Sequence, residues 1–159
     1  MTSTTDGGQD KLFLEDLKVG QRFLSRTLTL DAGEIKAFAA KYDPQPFHLD
    51  EDVARHSLFG GLAASGWHTA AITMRLIVES MPIAGGVIGA SGELAWPRPT
   101  RAGDMLEVES EILEILPSRS RPDRGTATVR NITHNQNGET VQTFTCKIVL
   151  IRREAGGVA

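Results

Sequence analysis

The sequence predicts an α+β domain, an antiparallel sheet wrapped around one long buried helix. Three observations predict it. Residues 66–80 (GWHTAAITMRLIVES) are apolar on nearly every side, with Arg75 the only basic residue, and a helix apolar on most faces is a buried one. From Gly89 onward the pattern changes: residues 90–97, 104–116, 125–135 and 139–152 are β-like, and Asn137-Gly138 marks a hairpin turn. With 40% of its 159 residues apolar, the chain has enough for one core, and the economical way to bury helix and sheet together is to wrap one around the other.

The elements follow in order. Residues 1–10 and 154–159 read as disordered tails, and residues 11–153 as a single domain. Residues 22–30 (RFLSRTLTL) alternate polar and apolar and predict a strand. Asp31 caps a helix, with Glu34 three residues on, and Ile35, Phe38, Ala39 and Tyr42 fall on one face of it. Pro44 and Pro46 stop that helix and force an extended loop over residues 42–49. Asp50 caps a short helix reaching about Ser57. After the Gly-rich FGGLAASG, Ser65 caps the long helix and Pro82 ends it. In the last strand Phe144, Cys146, Ile148 and Leu150 share one face, which places Cys146 in the core as a small apolar residue. A sheet of about five strands in this arrangement keeps an exposed edge, which favours pairing two copies of the chain.

Composition excludes several functions. Seventeen Lys plus Arg against twenty Asp plus Glu give a net charge of −3, against general nucleic-acid binding or attachment to anionic lipid. The first ten residues lack the apolar core of a secretory signal, and the nearly uncharged stretch from Met81 to Gly92 is too short to span a bilayer. A cytoplasmic location is the resulting expectation. The single Cys146 rules out an internal disulfide. Asn131-Ile132-Thr133 matches a glycosylation sequon and is read as chance.

The stretch richest in chemistry is Tyr42-Asp43-Pro44-Gln45-Pro46-Phe47-His48-Leu49-Asp50. A carboxylate and an imidazole stand five positions apart on a loop stiffened by two prolines. A fixed Asp/His pair can grip one water and move protons near neutral pH. The same residues also describe a loop cap and a buried, satisfied histidine. Ser65-Gly66 opens the long helix, where unpartnered N–H groups and the helix dipole favour negative charge. Glycine there lets a ligand oxygen approach the backbone.

The run YDPQPFHLDEDVA, followed by FGGLAASGWHTAA, resembles the MaoC-like dehydratases, relatives of the (R)-specific enoyl-CoA hydratases. The family pattern falls on Asp43, Pro46, His48, Asp50 and Ala54, and Trp96-Pro97-Arg98-Pro99 with Gly103-Asp104 is similar to the strand and turn after its helix. The resemblance covers roughly residues 12–151. It implies a hot-dog fold, a homodimer, an acyl-CoA or acyl-carrier thioester as substrate, and no cofactor. Asp43 and His48 match the catalytic dyad, and Ser65 and Gly66 match the substrate-binding helix start, with the Gly66 N–H as oxyanion donor. The implied reaction is hydration of a trans-2-enoyl-CoA to the (R)-3-hydroxyacyl-CoA, or the reverse dehydration. Gln45 stands where the family commonly has Asn, and Ser65 where many members have His; both departures bear on subfamily and acyl preference. A thioesterase on the same fold would attack the thioester carbonyl and release free thiol. A non-catalytic acyl-CoA binding module would turn nothing over, and it has no need of both Asp43 and His48.

The remaining candidates are weaker. His68 reads as a packed core residue and His56 as a surface one. The spacings of His48, Asp50, Asp52 and His56 match no standard metal site. Arg98, Arg101, Arg119, Arg121 and Arg124 are candidates for CoA phosphates, against a plain reading as solvated surface arginines. Residues 117–124 (PSRSRPDR) read as a mobile loop.

Overall fold

The structure is a computed structural model that describes residues 10–154; the tails expected at 1–10 and 154–159 otherwise lie outside the described residues. Six strands, β1 (Arg22–Leu24), β2 (Leu28–Thr29), β3 (Ile88–Ala95), β4 (Met105–Pro117), β5 (Arg124–His134) and β6 (Thr140–Ile151), form one antiparallel sheet ordered β1-β4-β5-β6-β3, with β2 also on β4. Four helices, α1 (Ala32–Tyr42), α2 (Pro46–Leu49), α3 (Glu51–Arg55) and α4 (Gly66–Ser80), complete it. Ile72, Leu76 and Ile77 of α4 are buried with Val108, Ile112, Val129, Ile148 and Leu150 of the sheet in one apolar cluster.

The long helix starts and stops where its capping residues predict. The Ser65 hydroxyl accepts from the Trp67 N–H at 3.3 Å, and α4 ends at Ser80, two residues before Pro82. Asp31 likewise accepts from the Glu34 N–H at 2.8 Å. Gly138 takes the left-handed conformation the hairpin turn requires, at φ 73°. Cys146 is buried on the core side of β6, where burial pushes its thiol up. The Asn131 sequon lies in β5 with Asn131 and Thr133 buried, out of reach of a glycosylating enzyme.

Four expectations change. The strand over residues 22–30 is two short ones: the Ser25 N–H still bonds Val108 O at 2.9 Å, but the return bond from the Val108 N–H goes to the Ser25 hydroxyl at 2.8 Å, which itself donates to Arg26 O at 2.7 Å. Tyr42 does not join the buried face of α1; it is 64% exposed, at the last residue of the helix where the chain turns away. Residues 46–49 are not extended but make a helical turn, since Pro46 sits at its first position, where the fixed φ suits a helix and no N–H is missed. Finally, α4 is buried on one side only: Trp67, Met74 and Val78 are exposed, and most of β3 is exposed along the free edge of the sheet. Among the described residues no helix is long and apolar enough to cross a membrane.

Candidate active site

Two local devices place Asp43 and His48. Asp43 caps the C-terminus of α1, its N–H bonded to Ala39 O at 2.9 Å. The prolines then turn the chain so that α2 runs back past it. His48, on α2, is only 4% exposed, with its ring edge-on to Phe47 at 4.6 Å. His48 Nε2 and Asp43 Oδ2 lie 3.3 Å apart.

The second imidazole nitrogen settles the tautomer. His48 Nδ1 lies 2.6 Å from Ala63 O, and a carbonyl only accepts, so Nδ1 carries a proton. A neutral His48 therefore presents a bare Nε2 lone pair toward Asp43. The Ala63 carbonyl is itself held, because the Ala64 N–H in the same peptide unit donates to Thr100 O at 2.9 Å. Segments before α4 and after β3 thus meet behind the histidine.

Asp43 accepts from Gln45 Nε2 at 2.6 Å. Burial pushes its carboxyl up, but the Ser65 hydroxyl, the Gln45 amide and the positive charge the imidazole carries when protonated outweigh this and hold it below its ordinary value. Nε2 and the carboxylate oxygen are therefore both within reach of one water beside them, and of each other once Nε2 is protonated.

Both residues line a cavity of about 380 Å³, shared with Phe47, Phe59, Gly66, Trp96 and Thr100. The Gly66 N–H, at the first position of α4, has no hydrogen-bond partner among the described residues. The resemblance places Ser65 beside substrate; in the structure it is completely buried, its hydroxyl accepts from the Trp67 N–H at 3.3 Å, and it helps hold the Asp43 carboxyl below its ordinary value. It caps α4, and only Gly66 of the pair lines the cavity.

Trp96 is the wall residue that sequence reasoning missed. Its indole covers Gly66, so that a Cβ at position 66 would lie 2.7–2.9 Å from three ring atoms. The ring is fixed by Nε1 donating to Gln142 Oε1 at 2.9 Å and by the edge of Trp67 at 5.2 Å. The motif WPRP marks a turn, but nothing local in it points to a glycine thirty positions earlier. Thr69 and Thr100, bonded to each other at 3.0 Å, also line the cavity.

The other candidates separate clearly. His68 is buried and stacked on Phe38 at 4.5 Å, and burial lowers its pKa; His56 is on the surface. Of the five arginines only Arg98 lines the cavity, and it pairs with Glu139 at 2.9 Å. Arg119, Arg121 and Arg124 lie by the β4–β5 turn, at the sheet end marked by Ile151 and Ile88, opposite the end where Ala95 leads into Trp96. Arg101 is spent on backbone carbonyls.

An antiparallel sheet curled on a central helix defines a hot-dog fold, and a carboxylate and an imidazole converge beside that helix's N-terminus. The chain belongs to the MaoC-like domain family, whose pattern matches residues 16–135. It is similar to the MaoC-like dehydratase of Rhodospirillum rubrum, with 63% identity over 91% of this chain and 99% of that one and a TM-score of 0.88. It is 32% identical to the 3-hydroxybutyryl-CoA dehydratase of Methylorubrum extorquens over 69% of each chain. The unliganded (R)-hydratase PhaJ1 of Pseudomonas aeruginosa superposes with a TM-score of 0.73 at 28% identity, covering 94% of both chains.

Proposed function

We propose that the protein adds water to a trans-2-enoyl-CoA to form the (R)-3-hydroxyacyl-CoA, or runs the reverse dehydration. The observation that carries this reading is the 3.3 Å approach of His48 Nε2 to Asp43 Oδ2, with Nδ1 committed to Ala63 O. One water beside the pair donates to His48 Nε2, with Asp43 next to it, and turns a lone pair toward the substrate. Its oxygen bonds the β-carbon, the π-electrons of the double bond move toward the thioester, and the enolate oxygen rests on the Gly66 N–H. The water's proton passes to His48 Nε2 rather than to Asp43, because Asp43 is held below the ordinary carboxylate range. The imidazolium forms beside that carboxylate and delivers the proton to the α-carbon, which restores the dyad. The related 3-hydroxybutyryl-CoA dehydratase and (R)-hydratase support a coenzyme A thioester and the R configuration.

Crotonyl-CoA tests the reading. Its conjugated absorbance is expected to fall on addition of the protein, with (R)-3-hydroxybutyryl-CoA as product and no free thiol. Release of coenzyme A instead would assign a thioesterase, and binding without turnover would assign a binding module.

A homodimer goes with this function. The free β3 edge and the exposed Trp67, Met74 and Val78 on α4 form an unpartnered strand and apolar stripe, and a second copy of the chain covers both. Sedimentation equilibrium is expected to return twice the 17.2 kDa chain mass, and Met74→Lys to shift it toward one. A monomeric wild type at tens of micromolar overturns the dimer.

A further inference from the structure

Arg101 has no role in the chemistry above, yet its guanidinium makes an unusual set of bonds. The connection from α3 to α4 carries Phe59 into the cavity wall, where its ring packs on Phe47 at 5.1 Å and lies 6.0 Å from His48. Few backbone groups of that connection bond one another, although the Phe59 N–H reaches the Ser57 hydroxyl at 3.2 Å. Gly60 N–H bonds Ser57 O at 3.0 Å, and the Ala63 N–H reaches Phe47 O only at 3.5 Å. Leu58 is fully exposed, and Gly60 takes a left-handed φ of 63°.

The carbonyls of Phe59, Gly61 and Leu62 turn instead to Arg101. Its Nη1 donates to Gly61 O at 2.8 Å and Leu62 O at 3.4 Å, and its Nη2 donates to Phe59 O. Among the described residues no carboxylate pairs with this guanidinium; the Arg101 backbone also bridges Ala63, just after the turn. Asp104, the nearest acid in sequence, accepts the Arg101 backbone N–H instead. A planar, permanently charged fork suits three carbonyls on one turn, and an ammonium does not.

We infer that Arg101 is a positioning residue: its guanidinium latches residues 59–62 and so holds the Phe59 ring as the cavity wall beside His48. It does not line the cavity and acts through Phe59. The kinetic part rests on the hydratase reading; the latch itself does not.

The test has two arms. Amide hydrogen exchange at residues 58–62 is expected to speed at least about tenfold in Arg101→Met, with α4 unchanged, and Arg101→Lys to restore only part of the protection. With crotonyl-CoA, Arg101→Met and Phe59→Ala are each expected to lower kcat/KM about tenfold, and the double variant to lose no more than either alone. Unchanged exchange in Arg101→Met, or losses that multiply to about a hundredfold, overturns the latch. A wild type inert toward crotonyl-CoA would remove the proposed function and leave the exchange arm to decide on Arg101.

Discussion

Asp43→Asn and His48→Ala are each expected to lower kcat for crotonyl-CoA hydration about 10³-fold, with KM changed by less than about threefold. The two side chains act on one water, so the double variant is expected to be little worse than either single one. The amide introduced by Asp43→Asn would place a donor where the water needs an acceptor, and the loss of Nε2 in His48→Ala removes the base. The carboxylate also leaves a mark on stability. Asp43 is held below its ordinary value in the folded chain, so it contributes stability above the unfolded carboxylate's value, and this is lost as pH falls through the lowered folded value. Denaturant midpoints measured on descending through the acid range are therefore expected to fall less steeply in Asp43→Asn than in the wild type. Near-native kcat in both single variants would end the dyad assignment, provided near-ultraviolet circular dichroism shows both folded.

Gly66→Ala is expected to damage activity and stability together. The added methyl would meet the Trp96 ring at 2.7–2.9 Å, well inside the contact distance of about 3.5–4.0 Å between carbon atoms. The ring cannot simply swing away. Its N–H is bonded to Gln142 at 2.9 Å, and Gln142 is completely buried with Nε2 already unpartnered. If Trp96 moves, a second buried polar atom on Gln142 is left unpaired. If the first turn of α4 moves, the Gly66 N–H, the proposed oxyanion donor, moves with it. Overpacking of this kind costs about 1–3 kcal/mol, and a misplaced oxyanion donor costs about a hundredfold in kcat. Thermal unfolding and crotonyl-CoA turnover of the one variant check both. A variant with native Tm and native kcat would mean that the contact with Trp96 is slack and that the Gly66 N–H carries no charge in the reaction.

Much of the fold was legible because it is written in short-range chemistry. Ser65 and Pro82 bound α4, Asp31 and Asp50 cap their helices, and alternation along residues 139–152 puts Cys146, Ile148 and Leu150 on the core side. These signals lie within a few residues of what they determine. The misread helical turn at Pro46 was local, but the two larger misreadings arose because the tertiary packing outweighed a local pattern. Residues 22–30 alternate like one strand, but Ser25 meets Val108 and breaks it. Residues 66–80 read as apolar all round, yet one chain covers only one side of them.

By itself, the sequence determined that an acid and an imidazole stand on a rigid turn five residues apart, close ahead of a helix that begins Ser-Gly, because proline geometry and helix capping are properties of adjacent residues. Only the tertiary structure decided what those groups can do. The Ala63 carbonyl that sets the His48 tautomer, the Trp96 indole over Gly66 and the Arg101 fork on the Phe59 turn all join segments about 15 to 40 positions apart. Such contacts depend on how helix and sheet pack, and packing leaves no periodic trace in the chain.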